Sequence, residues 1–303
     1  MSKKTKGNLL LLLTAFIWGS AFVAQSAGAD LVGPLTFNAA RYLISFIFLV
    51  IVIGVLGMKN KGAIEKSSEE LASEKKNLIR GGIACGVILC IASGLQQLGI
   101  EFTTAGKAGF ITSLYVVLVP ILGIFLGKKV RKLIWFCVVM AAVGLYFLSI
   151  PAGEFSIGKG DAIILICAIC FSVHILVIDY FSPKTDGVKM SCLQFLVAAL
   201  LSGIFAVFTE TIVLGDLMEA IVPLLYAGVL SGGVGYTLQI VAQRDTEPAI
   251  ASLILSLESV FAVICGVILL NESLSIREFA GCAIMFIAII LAQLPSKADR
   301  LQG

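Results

Sequence analysis

The stretch AGKAGFITSLYVVLVPILGIFLG, Ala105–Gly127, decides the fold. It is as long and apolar as the roughly 20 residues that cross a bilayer as a helix, yet Lys107 stands near its start. A second run, ASLILSLESVFAVICGVILL (Ala251–Leu270), carries an acid, Glu258, within it. Sliding the chain against itself by 143 residues lays Leu95–Leu126 on Leu238–Leu269 without a gap. Eleven of the 32 aligned positions are identical, among them Gln96/Gln239, Ser113/Ser256 and Leu114/Leu257. Self-similarity at a fixed offset is the mark of an internal repeat. Tyr115 occupies the repeat position of Glu258.

Composition places the whole chain in the same solvent. Of its 303 residues, 59% are hydrophobic and 14% charged, against roughly 25% charged in a soluble domain. That leaves too little polar surface for a water-facing exterior, and lipid is the expected surroundings. The net charge of +3 is small, and the basic residues sit in short loops between apolar runs. Nucleic acid is not an expected partner. All eight cysteines fall inside apolar runs and read as small buried hydrophobes, not a disulfide framework.

Ten spans are expected: Asn8–Ala27, Pro34–Gly57, Asn77–Ile100, Thr104–Leu126, Leu133–Ile150, Gly160–Phe181, Met190–Thr209, Leu217–Ile240, Pro248–Leu270 and Ile276–Leu294. The basic N-terminus followed by apolar residues mimics a signal peptide, but the ten-helix count needs it as a retained span. The polar segment Met58–Lys76 reads as a solvated helix or loop. With the N-terminus in the cytoplasm, 18 of the 22 basic residues lie on that side. Lys159 and Arg277 fall outside, and Arg41 and Lys107 fall within spans. The positive-inside rule therefore puts both ends in the cytoplasm of a multi-pass protein of the cell membrane.

Five spans per half is an odd number, so the second copy enters the membrane in the opposite sense. The expected fold is all-α and integral to the membrane, with ten transmembrane helices as two inverted five-helix repeats, 1–150 and 151–303. Inverted repeats characterise secondary transporters, whose substrate sits near the midplane where the halves meet. Helices one and six match poorly, at a best offset of 153.

The segments WGSAFVAQ (Trp18–Gln25), GPLTFNAARYLIS (Gly33–Ser45), TTAGKAGFITSLYVVLVPIL (Thr103–Leu122) and the run Ser252–Ala292 carry a family likeness. The sequence resembles the drug/metabolite transporter superfamily in its EamA-type branch, over essentially its whole length. The resemblance implies a central cavity lined mainly by helices one, three, four, six, eight and nine. It also implies efflux or exchange of small organic solutes such as amino acids and other metabolites. Ser259 stands where many members have proline, and helix six begins without the Trp-Gly of Trp18-Gly19.

Several intramembrane polar groups are candidates for binding a solute or coupling ion. Glu258 lies about 15 Å into its span, near the midplane. A charge there is costly unless paired, solvated or protonated. It is either a coupling or substrate-amine site or a structural acid. Lys107, about 5 Å deep, either snorkels to the outer interface or draws carboxylates to the outer mouth. Tyr115 and Glu258 form the symmetry-related midplane pair. Arg41, about 10 Å deep, either pairs with an acid, snorkels, or holds a substrate carboxylate.

Gln96, Gln239 and Asn38 must face other helices or water. Trp18 and Tyr236 are candidate cavity walls. Trp18 is too deep for the interfacial belt usual for tryptophan. His174, the only histidine, is a candidate proton-sensitive group. Cys167, Cys170 and His174 share a helical face, but no second cluster completes a metal site. Neither a metal nor another cofactor is expected. The small-residue run Ser231–Gly235 permits close packing or bending.

No H-E-x-x-H, P-loop or nucleophile–base pair appears, so an enzyme is not expected. Neither rings of like charge nor a filter repeat suggests a channel, although an ungated facilitator stays an alternative. The expected partners are a small-molecule solute, the lipid bilayer and, as a candidate coupling ion, the proton.

Overall fold

The computed structural model of the chain describes residues 3–29, 31–59, 67–103, 105–150, 158–270 and 275–294. Among them only helices and turns occur. The first half holds α1 (Lys3–Ala29), α2 (Pro34–Lys59), α3 (Ser68–Ile100), α4 (Ala105–Ser113), α5 (Tyr115–Phe125) and α6 (Lys132–Ser149). The second holds α7 (Lys159–Phe181), α8 (Gly187–Thr209), α9 (Leu214–Glu219), α10 (Ile221–Leu225), a π-helical segment (Tyr226–Tyr236), α11 (Thr237–Gln243), α12 (Pro248–Leu255), α13 (Glu258–Leu270) and α14 (Ile276–Ala292). Among the described residues seven stretches are long and apolar enough to cross a membrane, among them Pro34–Gly57, Ala108–Phe125 and Pro248–Cys265.

Local chemistry sets the helix starts. Ser67 opens α3 with a capping box, accepting from the Glu70 amide while the Glu70 carboxylate accepts from the Ser67 amide. Ser275 and Glu278 do the same for α14. Because of this cap, α3 begins at Ser68, nine residues ahead of the expected Asn77. Residues 68–76 of the Met58–Lys76 segment are therefore a solvated extension of α3, Met58 and Lys59 end α2, and residues 60–66 lie outside the described residues. The start of α2 is capped from far away. Glu210, just past α8, accepts from the amides of Leu35 and Thr36, both at 2.8 Å, and from the Thr36 hydroxyl. Glu210→Ala is expected to destabilise the α2–α8 pair by about 1–2 kcal/mol, read by thermal unfolding in detergent.

Three expected spans are interrupted. The fourth breaks at Leu114 and the ninth at Ser256–Leu257. Leu114 and Leu257 are repeat mates, since 114 + 143 = 257. Each amide bonds the carbonyl three residues back, Ile111 and Ile254, at 3.2 Å. In α12 the Ser256 hydroxyl bonds the Leu253 carbonyl at 2.8 Å, a local competitor of the helical ladder that bends helices. No proline is needed for this break. The eighth span is not one α-helix either. Its middle is π-helical, wound where Gly228, Gly232, Gly233 and Gly235 let α2 and Trp18 approach.

Packing pairs are reciprocal between the halves. The α6–α14 contact and the α2–α8 contact each join equivalent helices. The packing of α3 on α7 is matched by the π segment and α11 on α1, and that of α1 on α13 by α7 on α4 and α5. Closest approach occurs at glycine. A Cβ on Gly19 of α1 would lie 2.5 Å from the Glu258 carbonyl oxygen of α13. One on Gly281 would lie 2.6 Å from the Gly144 carbonyl oxygen.

Candidate functional site

The two helix breaks face each other across the centre of the bundle. Each break presents the first residue of the following helix, Tyr115 on α5 and Glu258 on α13. The Tyr115 hydroxyl donates to Glu258 Oε1 at 2.9 Å, so the repeat mates touch directly. Ser113 donates to the same oxygen at 3.3 Å and its hydroxyl also meets that of Ser259 at 2.9 Å. The start of a helix is where backbone N–H dipoles favour an acidic side chain.

A small cavity opens beside this pair. It brings together eight of the sequence-derived candidates: Glu258, Tyr115, Arg41, Gln96, Gln239, Trp18, His174 and Tyr236. Asn38 is not among the lining residues. It is fully buried on α2 and neither atom of its amide has a partner. Lys107 belongs to α4, but its side chain lies outside the described residues. Sequence reasoning missed Gln25, Thr112, Phe171, Ile175 and Ser231. One signal was present: 18 + 153 = 171, so Phe171 stands at the repeat position of Trp18.

Hydrogen bonds fix most of the wall. Arg41 Nη1 donates to Gln25 Oε1 at 2.8 Å and Nη2 to the Tyr42 hydroxyl at 2.9 Å. Its guanidinium lies 4.7 Å from the Tyr42 ring centroid. Gln96 Nε2 donates to Thr112 Oγ1 at 3.3 Å. His174 Nε2 and Gln194 Oε1 are 3.1 Å apart, and the imidazole meets the Tyr236 ring edge-on at 6.0 Å. Trp18 donates to the Ser231 carbonyl at 3.2 Å and packs on Tyr236 at 4.5 Å. The π segment therefore supplies two neighbours of Trp18, Ser231 and Tyr236.

One end of the bundle is sealed. Leu11, Ala15, Val116, Val119, Ile250 and Leu253 are fully buried in a single apolar cluster. Val116 directly follows Tyr115, and the others lie about one to two turns from a cavity residue or a helix break on their own spans, all toward the end carrying Gly7 and Thr246. At that end Gly7 packs on Thr246 and the Ala242 carbonyl, and Gln243 Nε2 donates to the Ile175 carbonyl at 3.1 Å. Lys128, just past α5, pairs there with Asp179 of α7. Gln25, Arg41 and Gln96 lie on the other side of Trp18 and Tyr115, so the polar part of the cavity faces away from the seal. Among the described residues no cluster of histidine, cysteine and acid side chains is placed to hold a metal.

The EamA-like transporter family model matches residues 5–150 and again residues 158–294. The chain belongs to the EamA-like transporter family. It is a multi-pass membrane protein of a transporter family, consistent with the drug/metabolite transporter superfamily. It is 32% identical to an uncharacterized transporter of Archaeoglobus fulgidus over 96% of this chain and 87% of that one. It is 24% identical to a chloroplastic WAT1-related protein of Arabidopsis thaliana, over 96% of this chain and 70% of that one. A protein of known crystal structure shares the fold at a TM-score of 0.78, with 16% identity and 99% of each chain covered.

Proposed function

We propose that this EamA-family chain is a secondary transporter that exports or exchanges small organic metabolites by alternating access around the central cavity. The observation that carries the proposal is the cavity itself. It is lined by polar and aromatic side chains from both halves, lies at two matched helix breaks, and is closed by apolar packing at one end. Discontinuous helices at corresponding positions of two repeats mark binding sites in transporters.

The architecture we infer has ten spans: the seven long apolar stretches together with α1, α6 and α14. They form two inverted repeats, 1–150 and 151–303. The reciprocal packing of the halves and the direct Tyr115–Glu258 contact support this. The distribution of basic residues supports cytoplasmic termini in the cell membrane, and the sealed end then faces the cytoplasm. Protons are the candidate coupling ion, with Glu258 as the group that would carry one.

Uptake of a labelled metabolite panel into vesicles holding the purified protein tests the proposal, with and without an imposed pH gradient. Solute-specific uptake is expected for at least one metabolite. Growth of that uptake with the gradient identifies proton coupling, and indifference identifies an exchanger. Uptake no faster than in empty vesicles for every solute would overturn the transport reading.

A further inference from the structure

On the reading of two inverted repeats with cytoplasmic termini, the apolar seal at the cytoplasmic end has a counterpart at the outer end. The 143-residue offset names its residues. Val116 and Val119 of α5 map onto Ser259 and Ala262 of α13. Ile250 and Leu253 of α12 map onto Lys107 and Phe110 of α4. The two ends are in different conditions. At the inner end α5 packs closely on α12, and Val116, Val119, Ile250 and Leu253 are all fully buried. At the outer end α4 and α13 touch far less. Phe110 and Ala262 are only partly buried there. A Cβ on Gly109 would meet only the Ser259 hydroxyl oxygen, at 4.0 Å. The mates of these two residues, Ser252 and Val116, are both at 0% exposure.

The ends also differ in what they are built from. In the pairs Val116/Ser259, Val119/Ala262, Ile250/Lys107 and Leu255/Thr112 the inner residue is the larger aliphatic one and the outer residue is smaller or polar. Leu253/Phe110 alone among these seal positions runs the other way. Stabilisation by burial scales with the apolar area removed from water, so closing the inner end gains more than closing the outer end. We propose that this divergence of the repeats sets the resting state. The chain rests open to the outside, and its inward-open state is held by a second, weaker seal in which Phe110 of α4 closes on Ser259 and Ala262 of α13. Tyr115 immediately precedes the α5 half of the inner seal, and Glu258 immediately precedes the α13 half of the outer one. Their hydrogen bond therefore joins the two seals at the pivot. The balance between the states follows the difference between the seals, so changing one seal moves both ends.

The test is amide hydrogen exchange of the full chain in lipid nanodiscs, read by mass spectrometry without ligand. Mate segments are compared: 107–113 with 250–256, and 259–265 with 116–122. In the wild type the outer segments are expected to be at least about tenfold less protected than their inner mates. Val116→Ser/Val119→Ala gives the inner seal residues of the outer kind. Exchange at the inner end should then rise, and exchange at the outer end should fall by at least about threefold. Ser259→Val/Ala262→Val strengthens the outer seal and should move both ends in the same directions. A substitution that only loosened local packing would speed exchange beside itself and leave the far end unchanged. That result in the variants would overturn the proposal, as would equal protection of the mate segments in the wild type. The two double variants act from opposite ends, so either one alone, if the other fails to fold, decides the coupling. Opposed changes at the two ends without uptake of any solute support the resting state and remove the transport reading. Solute uptake by a protein whose mate segments are equally protected removes the resting-state bias and leaves the transport reading standing.

Discussion

Glu258→Gln is expected to lower the initial rate of solute uptake by about tenfold to a hundredfold while leaving the protein folded. The amide is nearly isosteric with the carboxylate, and its oxygen still accepts from Tyr115 and Ser113. What disappears is the negative charge at the meeting point of the two helix breaks. Hydrogen bonds to charged groups contribute about 1.5–3 kcal/mol, and each 1.4 kcal/mol is a factor of ten. Tyr115→Phe serves as the companion variant. It removes the hydrogen bond between the repeat mates and keeps the acid, at a cost of about 1 kcal/mol, so uptake should fall only a few-fold. Uptake in Glu258→Gln equal to wild type, across pH, would make the residue a structural acid.

Gly19→Val is expected to destabilise the folded protein by about 1–3 kcal/mol, toward the upper end, and to cut the yield of folded material in detergent. The new Cβ would stand 2.5 Å from the Glu258 carbonyl oxygen, 2.6 Å from the Phe261 Cβ and 2.8 Å from the Ala262 nitrogen. Two of these are backbone atoms of α13 and have no rotamer to move into. The α1–α13 contact must open, and the opening falls on the turn of α13 that carries Glu258. Gly54→Val is the control, because nothing lies within 4 Å of the Cβ it would introduce. Its melting temperature should stay near that of the wild type. Equal melting of the two variants would show that α1 and α13 do not rely on this close approach.

The features most legible in the sequence were those tied to repetition. The 143-residue offset pairs Tyr115 with Glu258, and the structure brings these two side chains into contact. The same offset pairs Leu114 with Leu257, but apolar periodicity reads straight through both and gives no warning of the breaks. A serine hydroxyl bonding back to its own helix costs the hydropathy pattern nothing, so Ser256 looked like an ordinary span residue. The π-helical winding of Tyr226–Tyr236 was hidden for the same reason. The glycines announced close packing, but not that the carbonyls would shift by one residue.

Gln25 escaped notice because a lone amide near the end of a span looks like an interfacial residue. Only the fold shows Arg41 reaching it. Asn38 is three residues from Arg41 on the same helix, yet its short amide does not reach the cavity. Depth along the helix singled out Arg41 and polarity within the span singled out Asn38, and of the two only Arg41 lines the cavity. Phe171 required an alignment of helices one and six, where the halves have diverged most.

The central claim is that access to the cavity alternates between the two sides of the membrane. Solute counterflow tests it most directly. Vesicles holding the purified protein are preloaded with an excess of an unlabelled transported solute, and entry of a labelled trace from outside is followed. Alternating access predicts a transient accumulation of label above equilibrium, saturating with outside solute and strongly reduced in Glu258→Gln. Entry that only relaxes to equilibrium, rises linearly with concentration and ignores the internal solute would contradict it and describe an open pore.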